Sequence, residues 1–185
     1  TATQLSDYIE QNSATAHQIK CIKKAIQERK NMVIIGGTGS GKTTLTNAIL
    51  NELKHSNDRL LVLEDLPELI IHAPDHVRLR TSNAVSMRDL VKGTLRMRPD
   101  RIIIGEVRVG AALDLLKAWN TGHPGGICTL HANNPQQLPQ RLEQLIQEVI
   151  PNVPKALIAQ AIDLIIHIQR DDNGHRQIKD VCRLE

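Results

Sequence analysis

The stretch that decides the fold of this chain is Gly36-Gly37-Thr38-Gly39-Ser40-Gly41-Lys42-Thr43. It matches G-x-x-x-x-G-K-S/T, the loop that wraps the phosphates of a nucleoside triphosphate. Residues 31–35, in which Val and Ile run into the glycines, predict a buried strand before the loop. The residues after the loop show the spacing of one apolar helix face: Leu45, Ala48, Ile49 and Leu53. The order of strand, loop and helix is the context that this motif requires.

The residue types in this loop suit the binding of phosphate groups. Glycines let the backbone approach a ligand closely, so that N–H groups converge on phosphate oxygens at the positive end of the following helix. The Lys42 ammonium can bridge the β- and γ-phosphates of ATP, and the Thr43 hydroxyl is placed to bind Mg²⁺. The alternative, a flexible turn, is disfavoured by the Lys-Thr pair at the required spacing. The predicted nucleotide-binding residues are Gly36, Gly37, Thr38, Gly39, Ser40, Gly41, Lys42, Thr43 and Thr44.

The composition is that of one globular domain and argues against several classes of function. The 185 residues are 41% apolar, and no run approaches the ~18 apolar residues of a membrane span. With 23 basic and 20 acidic residues, the net charge of +3 is no strong nucleic-acid signature. One Trp, one Tyr and no Phe leave little material for base stacking. The three widely spaced cysteines favour reduced thiols in a cytosolic compartment over a zinc site.

Apolar runs and helical spacings alternate along the rest of the chain. Strands are predicted at residues 31–35, 60–63, 76–80, 102–104, 127–130, 164–169 and 177–184. Helices are predicted at residues 15–28, from the loop to about residue 55, at 86–95, 110–120 and 136–150, and after Pro154. This alternation predicts an α/β fold with a mostly parallel sheet flanked by helices.

Finer features of this fold are also predicted. Thr15 is expected to cap the first helix, and Asn134 the helix that begins near residue 136. Leu95 and Val149 are expected to face inward near the ends of their helices. The turn Asp172-Asn173-Gly174 predicts that the last two strands form a C-terminal β-hairpin.

Acidic and imidazole side chains follow three of the predicted strands. In a parallel sheet, ligands bind beyond the carboxyl ends of the strands, so Glu64 and Asp65, Glu106, and His131 are the candidates. A P-loop enzyme usually has an Asp at the end of one strand to hold Mg²⁺, and here Gly105 stands at that place. Glu106 is therefore expected to polarise the attacking water or to hold the metal through water.

Other roles remain open for these side chains. Glu64 and Asp65 suit additional contacts at the metal, and a loop or capping role is the less favoured alternative. Glu106 could be a surface acid near a helix. His131 could sense the γ-phosphate, share a proton with Glu106, or have no special role in a chain that contains eight histidines.

Four segments, in this order, make the chain resemble the secretion-ATPase family of type II and type IV secretion. They correspond to the Walker A, Asp, Walker B and His boxes of that family. The segments are residues 36–43, Leu63-Glu64-Asp65-Leu66-Pro67-Glu68-Leu69, Arg98-Pro99-Asp100-Arg101-Ile102-Ile103-Ile104-Gly105-Glu106-Val107-Arg108, and Thr129-Leu130-His131-Ala132-Asn133. The segment over residues 119–126 is most similar to the conjugal-transfer members.

The resemblance implies a RecA-like P-loop NTPase domain that hydrolyses ATP with Mg²⁺. It implies a homo-oligomer, a hexameric ring at the cytoplasmic face of the inner membrane, working with other subunits of a type IV secretion or conjugation apparatus. Matched residue by residue, Glu106, His131 and Glu64 form the catalytic set. Thr43, Glu64 and Asp65 form the metal-side set, and His131 would couple nucleotide state to conformation.

The resemblance also sets the expected domain division. Residues 1–14 are expected to be a lead-in or linker and residues 15–185 the catalytic domain, without the N-terminal domain of the family. After Arg108 the chain continues Val109-Gly110-Ala111-Ala112, where the family usually has a Glu. The leading hypothesis is an ATP-hydrolysing motor, and this departure leaves open a nucleotide-gated scaffold without productive turnover. A RecA-like helicase is disfavoured by the charge and the scarcity of aromatics.

Overall fold

The computed structural model describes residues 4–184, so the ends of the expected lead-in and of the expected catalytic domain lie outside the described residues. The strands are β1 (Met32–Ile35), β2 (Leu60–Glu64), β3 (His76–Arg80), β4 (Arg101–Ile104), β5 (Ile127–Leu130), β6 (Leu164–Arg170) and β7 (Arg176–Cys182). The helices are α1 (Leu5–Glu10), α2 (Ala16–Gln27), α3 (Lys42–Asn51), α4 (Met87–Thr94), α5 (Ala111–Asn120), α6 (Leu138–Gln147) and α7 (Lys155–Ala161). None of these helices combines the length and the apolar composition needed to cross a membrane.

The strands form one seven-stranded sheet in the order β3-β2-β4-β5-β1-β6-β7. Every neighbouring pair is parallel except β6 and β7, which form an antiparallel hairpin. The predicted mostly parallel sheet with a C-terminal hairpin is confirmed. Every position of β1, β2, β4 and β5 is buried, whereas the exposed positions of β3 alternate because it is an edge strand.

Helices cover both faces of the sheet. One core cluster packs residues of α4, α5, α6 and α7 against one face, and the other packs residues of α1, α2 and α3 against the opposite face. Neighbouring residues of β1 illustrate the division, since Ile35 belongs to the first cluster and Ile34 to the second. Burial on both faces explains why the central strands are continuous apolar runs.

The structure confirms the two predicted helix caps, but not the predicted burial of residues at two helix ends. Thr15 Oγ1 accepts a hydrogen bond from the backbone N–H of Gln18, and Asn134 Oδ1 accepts one from that of Gln137. Leu95 is 42% exposed, so its predicted inward position is wrong. It lies after α4 has ended at Thr94, where the helical periodicity no longer sets its direction. Val149 is half-buried for the same reason, beyond the end of α6.

The segment before residue 15 contains a helix that sequence reasoning missed. Leu5 and Tyr8 of α1 are buried in the same cluster as α2 and α3. The expectation of a polar lead-in is wrong for these residues, because their one-turn spacing places both on the sheet-facing side of α1. Beyond the helix, the Ser13 carbonyl accepts a hydrogen bond of 2.7 Å from the backbone N–H of Ile178 in β7. The domain division at residue 15 stays a prediction.

Candidate active site

The phosphate-binding sequence forms the connection between β1 and α3. Gly41 is the N-cap of α3 and has φ of +102°, a left-handed conformation that favours glycine. A Cβ at this position would also lie 2.8 Å from Cδ of Arg176. A Cβ at Gly36 would collide with the carbonyl oxygen of Ile168 in β6. The left-handed backbone at Gly41 and the close approach of the β6 backbone at Gly36 therefore favour glycine at these two positions.

Lys42 and Ser40 give this loop the character of an anion site. The Lys42 ammonium donates hydrogen bonds of 2.8 Å to the carbonyl oxygens of Gly36 and Gly37. Burial lowers the pKa of Lys42, and the Glu106 carboxylate opposes part of that shift. Ser40 Oγ is buried without a hydrogen-bond partner among the described residues, and the space beside Gly37 is open. A constrained ammonium, a buried hydroxyl without a partner among the described residues, and open space beside Gly37 fit a phosphate group.

Glu106 and His131 meet at the rim that carries the loop. They follow β4 and β5, which are parallel neighbours, so both side chains emerge at the same edge of the sheet. His131 Nε2 lies 3.0 Å from Glu106 Oε1. Arg108 donates to the other carboxylate oxygen of Glu106, from Nε at 2.9 Å and from Nη2 at 2.7 Å. Its Nη1 lies 3.3 Å from Asp65 Oδ2, which joins three of the predicted strand ends in one network.

The protonation states in this network follow from burial and neighbouring charge. Burial lowers the pKa of His131, the Lys42, Arg141 and Arg108 charges lower it further, and Glu106 alone opposes the shift. The imidazole is therefore neutral at neutral pH and can donate from Nε2 to the Glu106 carboxylate. The hydrogen bonds to Glu106 raise the pKa of Arg108 above its ordinary value. Glu106 is thus held between a neutral donor and a cation.

Glu64 has a different environment from Glu106. It is 2% exposed at the end of β2. Its Oε1 accepts hydrogen bonds from the backbone N–H groups of Glu68 and Leu69, at 2.8 and 2.7 Å. Its Oε2 accepts one of 2.7 Å from Nη2 of Arg78 in β3. These contacts favour the loop-anchoring role that the sequence left open, and its catalytic and metal roles stay predictions.

Oxygen donors gather on the Asp65 side of the loop. Thr43 Oγ1 donates to Glu68 Oε2 at 3.2 Å, and Asp65 Oδ1 accepts a bond of 2.7 Å from Thr81 Oγ1. Mg²⁺ prefers hard oxygen ligands and is usually completed by water and phosphate oxygens. Within residues 4–184, no three His, Cys, Asp or Glu side chains form a metal-holding group by themselves. These donors fit Mg²⁺ as a partner of a bound triphosphate, with Glu68 beside them, and the metal roles of Thr43 and Asp65 stay predictions.

The structure brings most of the predicted site residues together around one cleft of about 530 Å³. The predicted residues that line it are Thr38, Gly39, Gly41, Lys42, Thr43, Thr44, Glu64, Asp65, Glu106 and His131. Gly36, Gly37 and Ser40 lie in the loop but do not line the cleft. The predicted residues therefore form one site rather than several.

Sequence reasoning missed Arg176 as a contributor to this cleft. Arg176, the first residue of β7, lines it beside Gly41. The hairpin was predicted, but only the pairing of β6 with β1 brings it to the loop, and no local pattern encodes that pairing. Glu68, which the sequence places near Glu64 and Asp65, also lines the cleft.

Comparison with known families places the whole chain in one group. The family described as Type II/IV secretion system protein matches residues 2–181. The chain is 49% identical to the conjugal transfer protein TrbB of Rhizobium radiobacter, over 98% of this chain and 56% of that protein. It is 33% identical to the type IV secretion system protein VirB11 of Bartonella quintana, over 91% of this chain and 54% of that protein. The chain thus spans about half the length of the curated relatives it matches.

Solved structures with the same fold give a consistent result. The VirB11 ATPase from the Brucella suis type IV secretion system, in complex with sulphate, superposes with a TM-score of 0.83 at 29% identity, covering 97% of this chain and 54% of that one. The pilus retraction motor PilT with bound ADP superposes with a TM-score of 0.70 at 21% identity, over 88% of this chain and 50% of that one, which shows the fold alone. The predicted RecA-like fold class is confirmed.

Proposed function

This chain belongs to the Type II/IV secretion system protein family, and from that premise we propose that it is an ATP-hydrolysing motor subunit of a conjugal-transfer or type IV secretion apparatus. One observation supports the motor role above all others. The Glu106 carboxylate, held 3.0 Å from His131, lines the same cleft as Lys42 and Thr43. An accessible carboxylate opposite a phosphate loop is placed to orient a water molecule toward the terminal phosphate.

Each of these cleft residues has a separate role in the proposed hydrolysis. Lys42 and the backbone N–H groups of the loop bind the phosphate chain, and Thr43 with Asp65 and Glu68 would hold Mg²⁺. Mg²⁺ supplies neutralisation of the charge that develops on the phosphate oxygens. Glu106 accepts a hydrogen bond from the attacking water. His131 fixes the orientation of Glu106 and can report a change at the terminal phosphate to α6.

The setting of the motor is proposed from its relatives. Proteins named for conjugal transfer and for type IV secretion match nearly the whole chain. We propose a homo-oligomer, a hexameric ring, at the cytoplasmic face of the inner membrane and in contact with other subunits of the apparatus. The small net charge of +3 gives no reason to add nucleic acid to these partners.

A nucleotide-gated scaffold without productive turnover is the second candidate. The segment Val109-Gly110-Ala111-Ala112 supplies no acid beside the Glu106 network. Arg108 contacts both Glu106 and Asp65, so two carboxylates of the cleft are held by one cation. A site with its acids engaged in this way could bind a nucleotide and respond to it without cleaving it.

Phosphate release separates the two candidates. A motor loses about 10²–10⁴-fold of its turnover in Glu106→Ala, because the water loses its orienting acceptor, while ATP binding persists. Glu148→Ala is the matched control, since Glu148 is exposed after α6 and does not line the cleft. Equal, low rates for the wild type and Glu106→Ala, with ATP bound in both, would favour the scaffold.

A further inference from the structure

Arg176 reaches the nucleotide cleft from the side opposite to the catalytic carboxylate. β1 lies between β5 and β6 in the sheet, so the Glu106–His131 pair stands on one side of the loop and the hairpin on the other. β7 is antiparallel to β6, and its first residue, Arg176, pairs with Arg170 at the end of β6. The start of β7 therefore lies at the same rim as the ends of the parallel strands.

The stem of Arg176 packs on the phosphate loop itself. A Cβ at Gly41 would lie 2.8 Å from Cδ and 3.3 Å from Nε of Arg176. Arg176 also lies near Tyr8 of α1. Burial raises the pKa of Tyr8 to about 12, and the positive charge of Arg176 opposes part of this shift. The guanidinium is thus placed between α1 and the N-terminus of α3, and it opens into the cleft.

Arg176 differs from the other cations of the cleft in its partners. Lys42 donates to the carbonyl oxygens of the loop, and Arg108 is held by Glu106 and Asp65. Among the described residues, no carboxylate lies within ion-pair distance of the Arg176 guanidinium. Its fork of donors is therefore free for an anionic ligand.

The strand that carries Arg176 is held in place by long-range contacts. Ser13 Oγ and the Gln11 carbonyl oxygen each lie 3.2 Å from Nε2 of His175, the residue before Arg176. Two residues beyond Arg176, the backbone N–H of Ile178 donates a hydrogen bond of 2.7 Å to the Ser13 carbonyl oxygen. The backbone is therefore fixed on both sides of Arg176 before the ligand arrives, which lowers the entropy cost of binding.

We infer that Arg176 binds the α-phosphate of the nucleotide, on the nucleoside side of the loop. The terminal phosphate must face Glu106 for hydrolysis, so the phosphate chain crosses the loop and its nucleoside end lies toward the hairpin. Arginine matches phosphate with two parallel N–H donors. The inference rests on the proposed function, because it requires that the cleft bind a nucleoside triphosphate.

Calorimetric titration of the chain with ADP, with ATP and with AMP, each with Mg²⁺, tests this assignment. In Arg176→Ala, the Kd for both ADP and ATP should rise by the same factor, about tenfold or more, and so should the Kd for AMP, whose only phosphate is the α-phosphate. Arg176→Lys keeps the positive charge and the aliphatic stem but loses the pair of parallel N–H donors. Its Kd should lie between that of the wild type and that of Arg176→Ala. Arg170→Ala is the matched control, since this exposed cross-strand partner does not line the cleft, and its Kd should equal that of the wild type.

Other outcomes would overturn the assignment. If the affinity of Arg176→Ala falls for ATP but not for ADP, the arginine contacts the terminal phosphate instead. If both affinities are unchanged, Arg176 makes no phosphate contact, while the proposed function stands because the wild type still binds. A wild-type chain that binds neither nucleotide would overturn the proposed function together with this inference. Melting curves of each variant show that the comparison is made between folded proteins.

Discussion

The carboxyl ends of β2 and β4 lie side by side in the sheet, and each delivers a glutamate to the same cleft. The Glu64 side chain is 2% exposed, and backbone N–H groups bind one of its oxygens. The Glu106 side chain is 27% exposed, and among residues 4–184 only the side chains of Arg108 and His131 hold it. Two carboxylates on neighbouring strands thus have opposite surroundings.

We propose that this difference separates a structural acid, Glu64, from a reactive one, Glu106. Backbone donors around Glu64 cannot move without moving the loop over residues 65–69, so this carboxylate is committed to its present contacts. Side-chain donors around Glu106 can rotate away, and that carboxylate can exchange a partner for water or for a nucleotide. Their positions at strand ends make both glutamates candidate site residues. Their different burial and the backbone hydrogen bonds of Glu64 distinguish the two.

The largest effect that we expect from the contrast between Glu64 and Glu106 is on the free energy of unfolding. Glu64→Ala leaves the buried backbone N–H of Leu69, the part-buried N–H of Glu68 and the Arg78 guanidinium without this acceptor, so the free energy of unfolding should fall by about 3 kcal/mol. Glu106→Ala releases only groups that water can reach, and its loss should stay below about 1 kcal/mol. Urea unfolding of both variants measures the difference. Equal losses would contradict the division of roles.

A smaller effect is expected from the cation that faces Glu64. Arg78 donates to Glu64 Oε2 at 2.7 Å, and its own side chain is 38% exposed, so solvent screens part of the interaction. Arg78→Ala should lower the free energy of unfolding by about 1–2 kcal/mol, because the buried carboxylate keeps its backbone donors and loses its cation. Arg80→Ala is the control, two residues further along the same face of β3. A larger loss in Arg80→Ala would show that the strand, and not the ion pair, is responsible.

The sequence is sufficient for the parts of this site that depend on local pattern. Short segments of sequence are enough to predict the buried strands that end in glycines or acids, the phosphate loop and the turn before β7. The rim residues Glu106 and His131 follow from the same logic, since parallel strands must end at one edge.

The remaining features depend on partners that are distant in sequence. The burial of Glu64 requires Arg78 from the edge strand, and the place of Arg176 requires β6 to pair with β1. Helix α1 is too short to show a clear periodicity, and its packing depends on the cluster formed by α2 and α3. Leu95 was misassigned because a helix end is set by its last hydrogen bonds rather than by apolar spacing.

The smallest expected effect concerns the protonation of His131, the partner of the accessible glutamate. Its folded-state pKa is below the ordinary value of 6.5, owing first to burial and then to Lys42. Protons therefore bind preferentially to the unfolded chain, so the stability linked to this group is fully present above pH 6.5 and is lost as the pH falls through the lowered pKa.

Two substitutions should move the pKa of His131 in opposite directions. Lys42→Ala removes a cation that lowers the pKa of His131, so the pKa should rise in this variant. Glu106→Gln removes the charge that raises this pKa, so the pKa should fall further. NMR titration of the imidazole resonance, assigned with His131→Asn, measures both shifts. Glu64→Gln serves as the control, because Glu64 is not among the groups that act on His131. A shift in Glu64→Gln as large as that in Glu106→Gln would show that the two strand ends form a single electrostatic unit, and the contrast between a structural and a reactive acid would then fail.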